Sequence, residues 1–225
     1  MALPRILKLL DKDVLESDWF AKAITHRSAS RKNNERLEFL GDSVLSMVIA
    51  NYLFENFPDA NEGDLSRLRS HLVRGATLAK IASENRLGDY LKLGAGELKS
   101  GGFRRESIME DALEAIIGAA FLIKGFAYAR DYVLAVFADH LQNLPQPETL
   151  KDPKSRLQEW LQSRSMSVPA YQVLNISGEA HNQTFTAECR IGTPEVVTQA
   201  MGSSRRKAEQ AAAAQALEII LQKPS

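Results

Sequence analysis

Residues 34–45 read Asn-Glu-Arg-Leu-Glu-Phe-Leu-Gly-Asp-Ser-Val-Leu, and their spacing is helical. At about 100° per residue, Leu37, Leu40, Val44 and Val48 line up as one apolar stripe. Glu35, Glu38 and Asp42 share an adjoining arc roughly 60° wide. Glu38 and Asp42 are four residues apart, so their side chains are neighbours, and like charges at that spacing cost about 0.2–0.5 kcal/mol. No basic residue stands four places after Glu38 to offset this. Phe39 falls almost opposite the apolar stripe, where an intramolecular core contact does not account for it.

A second, strongly apolar helical run from Ile108 to Ile123 repeats the arrangement, with Asp111 and Glu114 three apart. Spacing alone leaves two readings open. The acidic pairs are solvated helix faces, or they are oxygen ligands for Mg²⁺, which takes carboxylates and keeps waters. Such an ion lowers the pKa of a bound water and stabilises charge on a phosphodiester.

Outward from these runs the chain is helical almost throughout its first part. Apolar residues recur at three- and four-residue spacing over 34–56, 64–86 and 104–124, with turns at Pro58-Asp59 and between Gly94 and Gly102. The clearest boundary is Leu144-Pro-Gln-Pro-Glu-Thr-Leu150, whose two prolines favour an extended, semi-rigid spacer. Beyond it the periodicity changes. Residues 153–163 predict a helix opening on Pro153, a tolerated first-turn residue. Phe185, Ala187, Cys189 and Ile191 alternate with more polar residues as in a strand, flanked by β-rich stretches at 171–177 and 195–201. Residues 204–222 form an alanine-rich helix with Ser204 placed to cap it. The expectation is an all-α N-terminal domain (1–143), a linker (144–151) and a small α+β module of order α-β-β-β-α (152–225).

Composition bounds the function. The 225 residues are 44% hydrophobic and 25% charged, with a formal net charge of zero, which by itself argues against indiscriminate nucleic-acid binding. Local clusters carry the information instead. Arg205, Arg206 and Lys207 crowd the first turn of the last helix, where cations oppose the helix dipole unless an anion binds among them. No 18 consecutive apolar residues occur, so no membrane helix or membrane partner is expected. MALPRILKLLDKD meets acidic residues too early for a secretory leader. The single cysteine, Cys189, excludes an intrachain disulfide and a cysteine-based zinc site, and a cytoplasmic location is expected. Cys189 itself reads as a small buried hydrophobe. Trp160 reads as a packing residue, and His26, His71 and His140 lack metal-ligand spacing.

The 34–45 run resembles the signature of the ribonuclease III family. The similarity extends over essentially the whole chain: His26-Arg27-Ser28 before it, Glu62-Gly63-Asp64, Glu97-Leu98-Lys99 and Asp111-Ala-Leu-Glu-Ala115 after it. The C-terminal module resembles a double-stranded-RNA-binding domain at Asp152–Leu161, Gly178–Phe185 and Gly202–Ala212. The resemblance implies an endonuclease that cuts double-stranded RNA with Mg²⁺, with Mn²⁺ able to substitute. Glu38, Asp42, Asp111 and Glu114 would form the metal cluster, with Asp42 and Glu114 indispensable for catalysis. Glu35 and Glu62 would lie nearer the RNA path. Ser155, Gln158 and Glu159 would meet one minor groove and His181 the next, while Ser204, Arg205, Arg206 and Lys207 would meet the phosphates between them. Phe39 would plug a pocket on a second subunit of a homodimer. Products with 5′-phosphate and 3′-hydroxyl ends and short 3′ overhangs are implied, as are ribosomal RNA precursors and structured messenger RNAs as substrates. The rivals are a non-catalytic RNA-binding protein and a dimerisation module on the same fold. Neither has a reason to keep four repelling carboxylates, and all four are present.

Overall fold

The structure, a computed structural model, describes residues 3–179, 182–193 and 195–222. Two compact units divide the chain at 150/151. The first contains α1 (Arg5–Lys8), α2 (Lys12–Leu15), α3 (Asp18–Ala23), α4 (Glu35–Asn56), α5 (Glu62–Val73), α6 (Gly75–Glu84), α7 (Ala95–Lys99), α8 (Glu106–Val136) and α9 (Ala138–Gln142), with short 3₁₀ turns between them. The second is α10 (Pro153–Gln162), β1 (Ala170–Ser177), β2 (Thr184–Ile191), β3 (Val196–Gly202) and α11 (Arg205–Gln222).

The first unit is organised around α8. Met109, Ala112, Leu113, Ala115, Ile116, Ile117, Ala119 and Ala120 are all buried, so the middle of the helix must be surrounded, its first turns alone carrying an acidic side. Its main partner is α4, which buries Leu37, Val44, Leu45, Val48, Ile49 and Leu53. Leu40, expected in that stripe, is only half-buried and instead lines a surface cavity with Trp19 and Leu122. By length and composition alone both α4 and α8 could cross a membrane, and in the fold they pack on each other. A non-helical Gly125 (φ 80°) interrupts α8, one residue past the end of the 104–124 periodicity.

Two elements differ from the sequence expectation. The 64–86 run is two helices, because Arg74 adopts an extended backbone (φ −68°, ψ 147°) between α5 and α6. The proline-rich connection is not extended throughout: Pro147–Leu150 forms a 3₁₀ turn on α5, since Leu144 and Leu150 find seats on the apolar core of the first unit.

In the second unit the three antiparallel strands pair in the order β1-β2-β3, with a register shift between Val173 and Asn175. Both helices cover one face. Leu157, Leu161, Cys189, Ile191, Val196, Ala212, Ala213, Ala216, Leu217 and Ile220 form its core. Asp152 caps α10 by accepting from Ser155 N (3.1 Å), and Ser204 caps α11 by accepting from Lys207 N (3.2 Å). Trp160 packs on the core beneath the Arg164 guanidinium, which lies 4.0 Å from the ring centroid.

Candidate metal centre and nucleic-acid interface

The acidic site arises from how closely α4 and α8 approach. A methyl group on Gly41 would fall onto the carbonyl oxygen of Glu114, and one on Gly118 would fall onto that of Leu37. The two backbones therefore touch where each helix lacks a side chain. That contact fixes Glu38 and Asp42 of α4 beside Asp111 and Glu114 of α8.

The electrostatics of these carboxylates follow from their placement. Glu114 is only 7% exposed and makes no hydrogen bond or ion pair with any described residue. Desolvation first, then repulsion from Asp42, Glu110, Glu38 and Asp111, pushes its carboxyl up to about 8. Glu38 is raised by burial and by Asp111, Glu35 and Glu110. Asp111 is raised by burial, partly offset by the positive charges of His26 and Arg27. Asp42 is exposed on the same side, and its charge bears on both Glu110 and Glu114.

Among the described residues, no three acidic or histidine side chains already converge at coordinating spacing. The donor set nevertheless suits Mg²⁺. It consists of hard carboxylate oxygens, one of them buried without a partner, and Mg²⁺ commonly binds through one or two carboxylates while keeping several waters.

The remaining acidic residues separate. Glu35 adjoins the cluster but is engaged by Asn33 Nδ2 (3.1 Å) and by Arg27 (3.5 Å). Glu62 opens α5, beyond the far end of α4, where it accepts a hydrogen bond from Ser66 Oγ (2.7 Å). Its charge is not among those that raise Glu38, Glu110, Asp111 or Glu114. Sequence reading missed Glu110, a half-buried carboxylate raised by burial and by Asp111, Asp42 and Glu106. The signal available was its position four residues before Glu114 on the same helix.

Phe39 is 77% exposed, and Met47 (61%) and Phe54 (73%) share its side of α4 within an arc of roughly 80°. Near the start of that helix lies a cavity of about 520 Å³ lined by Trp19, Lys22, Arg36, Leu37, Leu40 and Leu122, among others.

In the second unit the N-termini of α10 and α11 meet. Gln210 Nε2 donates to Asp152 Oδ1 (2.7 Å), and Lys154 N donates to Gln210 Oε1 (3.0 Å). Two positive dipole ends thus share one corner. Ser155, Gln158 and Glu159 are exposed on one side of α10, and Arg205, Arg206 and Lys207 are exposed in the first turn of α11. Glu209 is buried beneath them, bound by Arg205 (2.8 Å) and Lys154 (2.7 Å), and both partners hold its carboxyl below the usual range. Glu159 pairs with Lys151 (2.7 Å). His181 lies outside the described residues.

Comparisons with known proteins agree with both halves. The family model described as "Ribonuclease-III-like" matches residues 16–141, and that of the double-stranded RNA binding motif matches 153–220. The chain is 54% identical over 218 residues to a "Ribonuclease 3" of Shewanella sp. (strain W3-18-1), covering 97% of this chain and 96% of that one. A "Ribonuclease 3" of Hahella chejuensis is likewise 54% identical, over 215 residues covering 96% and 95%. Among solved structures, the ribonuclease III nuclease domain of Campylobacter jejuni is 42% identical with a TM-score of 0.57. That match covers 60% of this chain and 95% of the other, and the description of that structure mentions a region involved in dimer formation.

Proposed function

The chain belongs to the ribonuclease III family and carries a double-stranded-RNA-binding motif, and from that premise we propose that it is a Mg²⁺-dependent endonuclease of duplex RNA. The observation that carries this reading is the buried, partnerless Glu114, with Asp111 beside it on α8 and Glu38 and Asp42 across the α4–α8 contact. A fold that needed only to bind RNA would gain stability by losing them.

In this proposal Glu38, Asp42, Asp111 and Glu114 hold the ion, and Mn²⁺ can take its place. When bound, the ion supplies an acidified water and offsets charge on the scissile phosphodiester. Glu114 holds its proton up to about pH 8 in the bare cluster and must release it for its oxygens to serve as ligands. Asp42, exposed at the rim, faces the incoming phosphate. Arg27 restrains Glu35 at the edge of the cluster, and His26 and Arg27 favour the ionised form of Asp111.

The second unit supplies affinity. Ser155, Gln158 and Glu159 meet a minor groove, His181 meets the next, and Ser204 with Arg205, Arg206 and Lys207 engages the phosphates between. Two chains associate through the exposed side of α4, each Phe39 entering the cavity beside Trp19 and Leu122 of its mate. Glu62 of α5 then reaches the RNA path from the dimer rather than from its own cluster. Two sites on one duplex leave 5′-phosphate and 3′-hydroxyl ends with short 3′ overhangs, and ribosomal RNA precursors and structured messenger RNAs are the natural substrates.

The test is incubation with long duplex RNA, with and without Mg²⁺, beside a single-stranded control. Cleavage restricted to duplex and to Mg²⁺ or Mn²⁺ is expected. Cleavage in excess chelator, or equal cutting of single strands, contradicts the proposal.

A further inference from the structure

Glu110 stands one residue before Asp111 and one turn before Glu114 on α8. It is half-buried and makes no hydrogen bond or ion pair with any described residue. One side of its carboxylate rests against Gly75, the first residue of α6, where a methyl group would collide with the carboxylate. The backbone there is the N-terminus of a ten-residue helix whose preceding residue, Arg74, provides no side-chain cap. Unsatisfied N–H groups and the helix dipole favour an anion at such a position. The four-residue spacing on α8 makes Glu110 and Glu114 neighbours on the helix surface, and the charge of Glu110 bears on Glu114 as that of Asp42 bears on Glu110. Glu114, nine-tenths buried and partnerless, independently marks that space as one prepared for a cation.

We propose that Glu110 is a fifth carboxylate of the cation-binding cluster, seated by the N-terminus of α6, and that it positions the bound cation rather than reacting with substrate. The inference rests on the cluster being a cation site. It gives α6 a part in that site, through a glycine that leaves room for the carboxylate. A half-buried carboxylate without a counter-ion is a standing cost to the fold. A nearby divalent cation relieves it without requiring a direct bond, as carboxylates behind the immediate ligands commonly do.

The experiment measures Mn²⁺ binding to the full-length protein without RNA, from the electron paramagnetic resonance signal of free Mn²⁺. Glu114→Gln is expected to abolish tight binding. Glu110→Gln should weaken it about tenfold, in the range found when groups behind the metal ligands are lost. Glu110→Asp keeps the charge but shortens its reach, and should bind more tightly than Glu110→Gln and less tightly than wild type. Gly75→Ala keeps the charge but displaces the carboxylate, and should weaken binding as Glu110→Gln does. Melting of each variant in chelator verifies that it is folded, and Glu110→Gln should melt no lower than wild type. Wild-type Mn²⁺ affinity in Glu110→Gln, with Glu114→Gln impaired, overturns the assignment of Glu110 and leaves the cluster standing. Wild-type affinity in both overturns the cluster reading itself. Wild-type Mn²⁺ affinity in Gly75→Ala, with Glu110→Gln impaired, overturns the seating of Glu110 against α6.

Discussion

Gly41 and Glu114 show how single residues set this site. Gly41→Ala places a methyl on the Glu114 carbonyl, so α4 and α8 must separate. Overpacking of this kind typically costs about 1–3 kcal/mol, and here it also parts the two acidic pairs. The expected result is a lower melting temperature and loss of cleavage, with RNA binding retained by the second unit. Glu114 makes the stability of the metal-free protein depend on pH. Its folded pKa, about 8, lies above the unfolded value of 4.5, so between these limits the folded state holds a proton that the unfolded state has lost. Stability therefore falls as pH rises through that window, by an amount on the order of a few kcal/mol. Glu38, Glu110 and Asp111 are shifted in the same direction and add to it. Melting in chelator should drop between about pH 5 and pH 8 and do so less steeply in Glu114→Gln; equal slopes would show that Glu114 is not the titrating group. The placement of Glu38, Asp42, Asp111 and Glu114 beside apolar stripes was legible from periodicity. The spacing of Glu110 before Glu114 was legible too, but its seat was not, because it comes from α6, which no local pattern connects to α8.

At the scale of elements, the long apolar runs were readable because α4 and α8 bury most of one face or all faces. The break at Arg74 was not, since no proline precedes α6 and the apolar period runs through the junction. The turn at Pro147–Leu150 was hidden for a related reason: two prolines favour extension, and only the seats for Leu144 and Leu150 on the first unit fold the connection back. A truncation for testing domain roles therefore belongs after Leu150 rather than before it. A chain ending there should remain folded and lose most RNA affinity at moderate salt. In the second unit, capping residues and strand alternation made the α-β-β-β-α order plain, whereas the meeting of the α10 and α11 N-termini through Gln210 depends on the tertiary fold. Lys207→Ala removes one exposed charge from that corner. It should weaken duplex binding and reduce the salt slope by roughly 0.9, the value for one phosphate contact. An unchanged slope would mean that Lys207 does not touch the backbone.

For the whole molecule, the proposed homodimer would account for both the exposed aromatic side of α4 and the position of Glu62. A two-fold interface repeats the same contact twice. Phe39→Ala should weaken association by about 3–5 kcal/mol for each ring fully buried at the interface, measured by sedimentation. An unchanged dimer would remove Phe39 from the interface. In a heterodimer of wild-type and Asp42→Asn chains, purified by two tags, one competent site should nick one strand. Loss of both cuts would instead indicate one composite site built from both subunits. The central claim, that a carboxylate cluster at the α4–α8 contact performs the cleavage, is tested most directly by Glu114→Gln. This variant keeps the shape of the side chain and removes one ligand charge. Duplex RNA binding and single-turnover cleavage should be measured on the same preparation at saturating Mg²⁺. Unaltered binding with cleavage reduced by orders of magnitude is the predicted result, and cleavage at the wild-type rate would contradict the account.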